Sequence, residues 1–179
     1  MSEVLAEFSA PWSRSLRLTT AASVAVLLIV ALVGVLSGPR QLWWWPVVMV
    51  GVPLAILIGT LPFMVRGYVL TPDSIQVRRL GWSTTLPLLG LAAVSGVPDG
   101  LRGSLRLFGN GGLFSISGWF WNRRLGRFRA YATDQDRAVL LRYQNGNQIV
   151  VTPHDVQHFI VRAKTLANLT ADRHPRDDG

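Results

Sequence analysis

Residues 18–65 read LTTAASVAVLLIVALVGVLS (Leu18–Ser37), GPRQL (Gly38–Leu42) and WWWPVVMVGVPLAILIGTLPFMV (Trp43–Val65). Neither long run contains a charged side chain. Each has the length a helix needs to cross a hydrocarbon core, roughly 20 residues at ~1.5 Å rise. In lipid a backbone must satisfy its own N–H and C=O groups, so two such runs predict two spanning helices. Gly38-Pro39 breaks the first, and the connection leaves room only for a turn. The expectation is a helical hairpin over 18–65. A cleaved leader would carry a shorter apolar stretch, about 7–15 residues, than Leu18–Ser37 provides. Two buried core helices this apolar, side by side in so small a chain, are a poorer account.

The flanks give an orientation. Arg14 and Arg17 precede the first run and Arg66, Arg78 and Arg79 follow the second, whereas the turn offers only Arg40. Basic residues near spanning helices collect on the cytoplasmic side, which predicts a cell-membrane protein with two spans, cytoplasmic N- and C-termini and an external turn. Trp43, Trp44 and Trp45 stand where an aromatic belt belongs. Pro46, Pro53 and Pro62 predict kinks in the second helix. No ionisable group lies within either run, which argues against a transporter or pump built from this hairpin alone.

The chain has 179 residues, no Cys and a formal net charge of +8. Without Cys there is no disulfide framework, no thiolate nucleophile and no Cys-ligated metal. From Arg66 onward 15 basic residues face 8 acidic ones, so the part beyond the hairpin is itself +7. Next to an anionic leaflet that charge is attractive, on the order of 1 kcal/mol per basic residue held near the surface.

After the hairpin the pattern changes from solid apolar to alternating. Gly67–Thr71 reads as a strand, Pro72-Asp73-Ser74 as a turn, and Ile75–Leu80 as a strand with Ile75 and Val77 on one face. Gly81-Trp82 turns into Ser83–Leu86; Leu88–Val97, with Gly90 and Gly96, fits a strand or a short irregular element equally. Gly100–Thr133 holds Arg102, Arg106, Arg123, Arg124, Arg127 and Arg129 without one Asp or Glu. The same segment carries Trp119, Phe120, Trp121 and Phe128. Gly109-Asn110-Gly111-Gly112 reads as a flexible turn and not a phosphate loop, because no Gly-Lys-Ser/Thr follows. Arg127 and Arg129 share one strand face, Phe128 and Ala130 the other. Ala138–Tyr143 and Gln148–Thr152 form a hairpin through Asn145-Gly146. Thr152 as N-cap, Pro153 at the first helical position and Asp155 then open a helix. Its apolar stripe is Val156, Phe159, Ile160, Ala163, Leu166 and Ala167, with Gln157, Arg162 and Lys164 facing water. Asn168–Gly179 reads as a polar, disordered tail.

The series Gly109-Asn110-Gly111-Gly112-Leu113-Phe114, Gly118-Trp119-Phe120, Leu125-Gly126, Tyr131-Ala132-Thr133, Val150-Val151-Thr152-Pro153-His154-Asp155 and Phe159 resembles the bacterial PH-domain family. The resemblance covers roughly Gly67–Ala167. It implies a membrane-anchored α+β chain: a bent, mostly antiparallel β sandwich or barrel behind the helical hairpin, with the C-terminal helix capping one open end. The divisions expected are an N-terminal segment (1–17) on the cytoplasmic side, the hairpin (18–65), the PH-like domain with its helix (66–169) and a tail (170–179). In lipid-binding PH domains the headgroup pocket is built by basic residues around the first hairpin loop. Here that loop is Pro72-Asp73-Ser74, which carries an acid, with Arg78 and Arg79 after it.

His154-Asp155-Val156-Gln157-His158 has the i, i+4 histidine spacing of a zinc-protease helix, but Asp replaces the Glu and the helix start already occupies these residues. No Gly-x-Ser-x-Gly elbow occurs. The expectation is therefore no enzyme, no cofactor and no metal. The surface that invites a role is Arg102, Arg106, Trp119, Phe120, Trp121, Arg123, Arg124, Arg127 and Arg129. Rings at headgroup level and cations against phosphates suit anionic lipid. The partners expected are the membrane through two spans, anionic lipid and a protein; a homo-oligomer is left open. Tethering to a bilayer disfavours nucleic acid, the other anion that basic and stacking residues bind. The function expected is a non-enzymatic module binding a protein partner or the anionic membrane surface, with an accessory subunit of a larger transport or enzyme complex as the alternative.

Overall fold

The computed structural model describes residues 4–39, 41–111 and 113–173. Helix α1 runs over Arg14–Ser37 and α2 over Trp44–Thr60, followed by a 3-10 turn at Leu61–Phe63. Both helices are long and apolar enough to cross a membrane, and only 6% of the most apolar window of each is buried in protein. A core helix of a soluble domain would bury most of it. The two helices touch: Trp45 Nε1 donates to Gly34 O at 2.7 Å. That indole therefore serves the helix–helix contact, whereas Trp43 is fully in the open, as a belt residue would be. Of the three prolines, only Pro53 lies in the α2 interior; Pro46 sits in its first turn and Pro62 in the 3-10 turn that ends it.

The remainder folds into two sheets. One is β1 (Ala6–Ser9), β2 (Val65–Leu70), β3 (Ser74–Arg79) and β4 (Ser83–Pro87), antiparallel in that order. The other is ordered β5 (Leu91–Gly96), β9 (Val139–Tyr143), β10 (Gln148–Val151), β8 (Gly126–Ala132), β7 (Ile116–Asn122) and β6 (Leu105–Gly111). All its pairs are antiparallel except β8 with β10. The sheets face one another without closing into a barrel. Helix α3 (Val156–Arg173) fills one end with Phe159, Ala163 and Ala167, as its apolar stripe predicts. Tyr68 of β2 pins the sheets together. Its hydroxyl donates to Tyr131 O at 2.6 Å and accepts from Thr152 N at 3.0 Å. Complete burial pushes the phenol up to about 12, the hydrogen bonds with Thr152 opposing.

Several elements depart from the sequence reading. The segment before the hairpin is part of the sheet: β1 pairs with β2 from Ala6↔Leu70 to Ser9↔Gly67, and Phe8 enters the core. The hairpin is thus inserted between two paired strands. Gly109-Asn110-Gly111 is not a turn but the end of β6, while Gly112 lies outside the described residues. Gly109 and Gly118 face each other across β6 and β7 with φ of 116° and 143°, and a Cβ on either would run into the opposite backbone. Asp155, not Thr152, caps α3: its Oδ1 accepts from His158 N at 3.0 Å. Thr152 is buried instead, its hydroxyl accepting from Thr133 N and Asp134 N. The tail reading fails for 168–173, which continue α3; Thr170 donates to Pro72 O at 3.0 Å. Residues 174–179 lie outside the described residues.

Candidate functional site

Alternation decides what reaches the space between the sheets. In β3, Ile75, Val77 and Arg79 share one face and are all buried. In β8, Phe128, Ala130 and Ala132 point to a small core behind the second sheet, under Leu16 of α1 and Leu101. Arg127 and Arg129 therefore point the other way, as predicted, on the side that faces the first sheet, with Tyr131 continuing into the main core. Across the ladder Trp119 pairs with Arg129 and Trp121 with Arg127.

These residues stack as alternating cations and rings. The Arg127 guanidinium lies 4.7 Å from the Trp119 ring, and Arg129 lies 6.0 Å from Trp119 and 5.1 Å from Tyr131. Arg79, reaching across from the other sheet, is 4.9 Å from Tyr131 and 4.4 Å from Trp82. Each such contact is favourable by about 0.5–2 kcal/mol, more as water is excluded.

All of the stack except Arg127 lines a cleft of about 540 Å³, with Arg106, Phe108, Ser117 and, from the end of α2 and the 3-10 turn after it, Thr60 and Phe63. Among the described residues no Asp or Glu lines it. Arg79 is only 8% exposed, and its Nε has no hydrogen-bond partner within the protein. Burial pushes its guanidinium down from the ordinary value and pushes the Tyr131 phenol up. The Tyr131 hydroxyl is likewise buried and unpaired.

The cleft is fastened to the foot of the hairpin. Trp82 Nε1 donates to Pro62 O at 2.8 Å, Ser115 Oγ donates to Phe63 O at 2.8 Å, and Phe114 N donates to Thr20 Oγ1 at 3.2 Å. Both sheets are therefore tied to the helix ends.

The residues singled out from sequence separate into three groups. Arg106, Trp119 and Arg129 line the cleft, Arg127 joins the stack on Trp119, and Trp121 lies on the same strand face. Phe120 does not belong: it is buried in the rear core, stacked on Phe128 at 6.1 Å, because its parity is opposite to that of Trp119. Arg102 is also elsewhere, paired with Asp99 at 3.0 Å and Asp136 at 3.3 Å. Arg123 and Arg124 are exposed in the β7–β8 turn, which Asn122 Oδ1 organises by accepting from Arg124 N and Leu125 N. That turn is at the end of β7 away from Ser115 and the hairpin, about 20 Å along the strand at ~3.3 Å per residue. Arg79, Trp82 and Tyr131 were not among the sequence candidates. Parity was the available signal for Arg79, since it follows Ile75 and Val77 at steps of two.

The zinc-like spacing comes apart. His154 precedes α3 and meets Arg137, its Nδ1 at 2.9 Å from Nη1, while the His158 ring packs on Phe8 at 5.4 Å. The first hairpin loop is in contact with α3: Thr170 donates to Pro72 O, and Arg173 lies 4.0 Å from an exposed Asp73.

A family model described as bacterial PH domain matches residues 66–167, more than half of the chain. The chain belongs to the bacterial PH-domain family. No curated protein and no solved structure matches it. The PH match begins after the hairpin, so β1, α1 and α2 lie outside it. The PH fold here is thus completed by a strand from the far side of the hairpin.

Proposed function

We propose that this PH-domain protein is a non-enzymatic binding module anchored in the cell membrane. In this reading α1 and α2 span the bilayer, both termini and the PH domain are cytoplasmic, and the arginine and aromatic face works at the anionic inner surface. One observation carries it: an acid-free basic cleft opens beside Thr60 and Phe63, where the apolar hairpin ends. Cations held there share the cleft with the helix end, where headgroups would gather, and at physiological salt their attraction reaches over a Debye length of ~8 Å. The positive-inside bias of Arg14, Arg17 and Arg66 supports the orientation.

Single cysteines at Ser2, Gln41 and Gly179 of the Cys-free chain test the placement. With an impermeant label on intact cells, Gln41 is expected to react and the two ends are not; the opposite pattern refutes it. Hydrogen exchange of the full chain in nanodiscs tests the surface. Slower exchange of β7 and β8 amides in anionic than in neutral lipid is expected, and equal exchange would refute lipid contact.

A protein partner is the second reading, and β6 favours it. This edge strand exposes Leu105, Leu107 and Phe108 next to unpaired backbone groups, which suits addition of a partner strand. An accessory role in a larger membrane complex would use that edge.

A further inference from the structure

We propose that the cleft at Arg79 seats the phosphate of one anionic phospholipid drawn from the leaflet around the hairpin. The proposal rests on the membrane-anchored reading above and assigns it a single ligand position. Arg79 and Tyr131 both line the cleft, and each carries a buried donor without an acceptor in the protein: Arg79 Nε–H and the Tyr131 O–H. Buried polar groups in folded proteins are nearly always paired, so two unpaired donors on residues of one cleft wall call for an acceptor. Both donate, which asks for an oxygen acceptor. Arg79 is also in no ion pair among the described residues, and it is repelled by Arg129, whose guanidinium also packs on Tyr131. An anion held by both arginines would offset that repulsion, and a phosphate offers acceptor oxygens to several arginines at once.

The walls select a lipid over a free anion. Phe63, Trp82 and Phe108 line the cleft, and Phe108 is 79% exposed. A small soluble phosphate would leave these rings in water. A glycerophospholipid would lay its glycerol and first methylenes against them and lead its chains out along α2, to which Phe63 is joined. At about 540 Å³ the cleft falls within the ~300–1,000 Å³ usual for small-ligand sites. This position is not the first hairpin loop, which lies at the opposite end of β3 and touches α3.

The full chain, purified in detergent and stripped of lipid, would be titrated with phosphatidylglycerol and, separately, phosphatidylcholine under native mass spectrometry. One phosphatidylglycerol per chain is expected, held at least tenfold more tightly than phosphatidylcholine. Arg79→Gln should weaken it at least tenfold. The pair Arg106→Gln and Arg129→Gln, both at exposed positions that leave the core intact, should do the same even if Arg79→Gln misfolds. Arg123→Gln with Arg124→Gln should leave it unchanged. Equal retention of the two lipids, or indifference to the Arg106/Arg129 pair, overturns the proposal. So does full displacement by millimolar glycerol 1-phosphate, which would make the ligand a soluble phosphate. If the cysteine labels refute the anchored topology, the underlying reading falls; if topology holds and the variants keep their lipid, only the cleft assignment falls.

Discussion

Phe8→Ala should destabilise a domain whose next strand begins at Val65, on the other side of the hairpin. Phe8 is 5% exposed in the core between the sheets, its ring edge-on to Phe159 at 5.2 Å and to His158 at 5.4 Å. Truncating a buried Phe costs about 3–5 kcal/mol, and the position on an edge strand, which can relax inward, favours the lower end. A domain of about 100 residues loses roughly 4–8 °C per kcal/mol, so its melting temperature should fall by more than about 10 °C. The full chain in detergent is the sample, since α1 and α2 would persist and hide the transition in a helix-sensitive signal. Hydrogen exchange at β2 and β3 amides against urea reads the domain alone. Phe8→Leu, which keeps most of the volume, should cost under about 1.5 kcal/mol. A loss below about 0.5 kcal/mol in that assay for Phe8→Ala would refute the insertion of the hairpin into the fold. So would a chain starting at Arg66 with unchanged protection.

Phe159→Ala, fully buried beside Phe8 and Tyr68, should cost about 3–5 kcal/mol by the same exchange assay, and an unchanged midpoint would mean that α3 does not plug the sandwich. Tyr68→Phe should cost about 1–3 kcal/mol at neutral pH, since Thr152 N loses its acceptor. The same variant carries a pH signature. The folded protein holds the Tyr68 proton to about 12 against 10 unfolded, so that stability is intact below pH 10 and drains away as pH rises toward 12. The loss approaches about 3 kcal/mol at ~1.4 per unit, and urea midpoints from pH 9 to 12 should fall less steeply in Tyr68→Phe than in the parent.

Local pattern carried much of this architecture because much of it is local. Two charge-free runs, the Asn145-Gly146 turn and the 3.6-residue stripe from Val156 to Ala167 each declare themselves within a few residues. The strand at Ala6–Ser9 does not. It is four residues long, has no turn beside it and gains its partner only through Val65–Leu70 beyond the hairpin, so nothing near it in sequence marks it. Thr152 looked like a cap because Ser or Thr before Pro usually is one; a demand from Tyr68, Thr133 and Asp134 outweighed that local preference. The site was legible in composition and only partly in geometry. The arginines and rings of 100–133 stood out, and the parity of Arg127 and Arg129 was right. Composition could not separate Phe120, one step out of parity, from Trp119 and Trp121. Nor could it bring in Arg79, which joins from the other sheet.

Insertion of the hairpin also limits how the domain can sit. A PH domain tethered by one linker could present any face to a membrane. This one enters and leaves the hairpin through paired strands, β1 and β2, and the helix ends are further held at three points, Thr20 to Phe114, Pro62 to Trp82 and Phe63 to Ser115. Swinging the domain away would break these bonds and pull Leu16 from the rear core. The face beside the hairpin is therefore set by the fold and not by a flexible search. The ordering cost of presenting the Arg79 cleft is met during folding, before any ligand arrives, and binding there needs only to exceed the cost of placing the ligand itself. The same rigidity leaves Arg123 and Arg124 at the far end of β7, where their charge can act on the domain's outer surroundings but not on what enters the cleft.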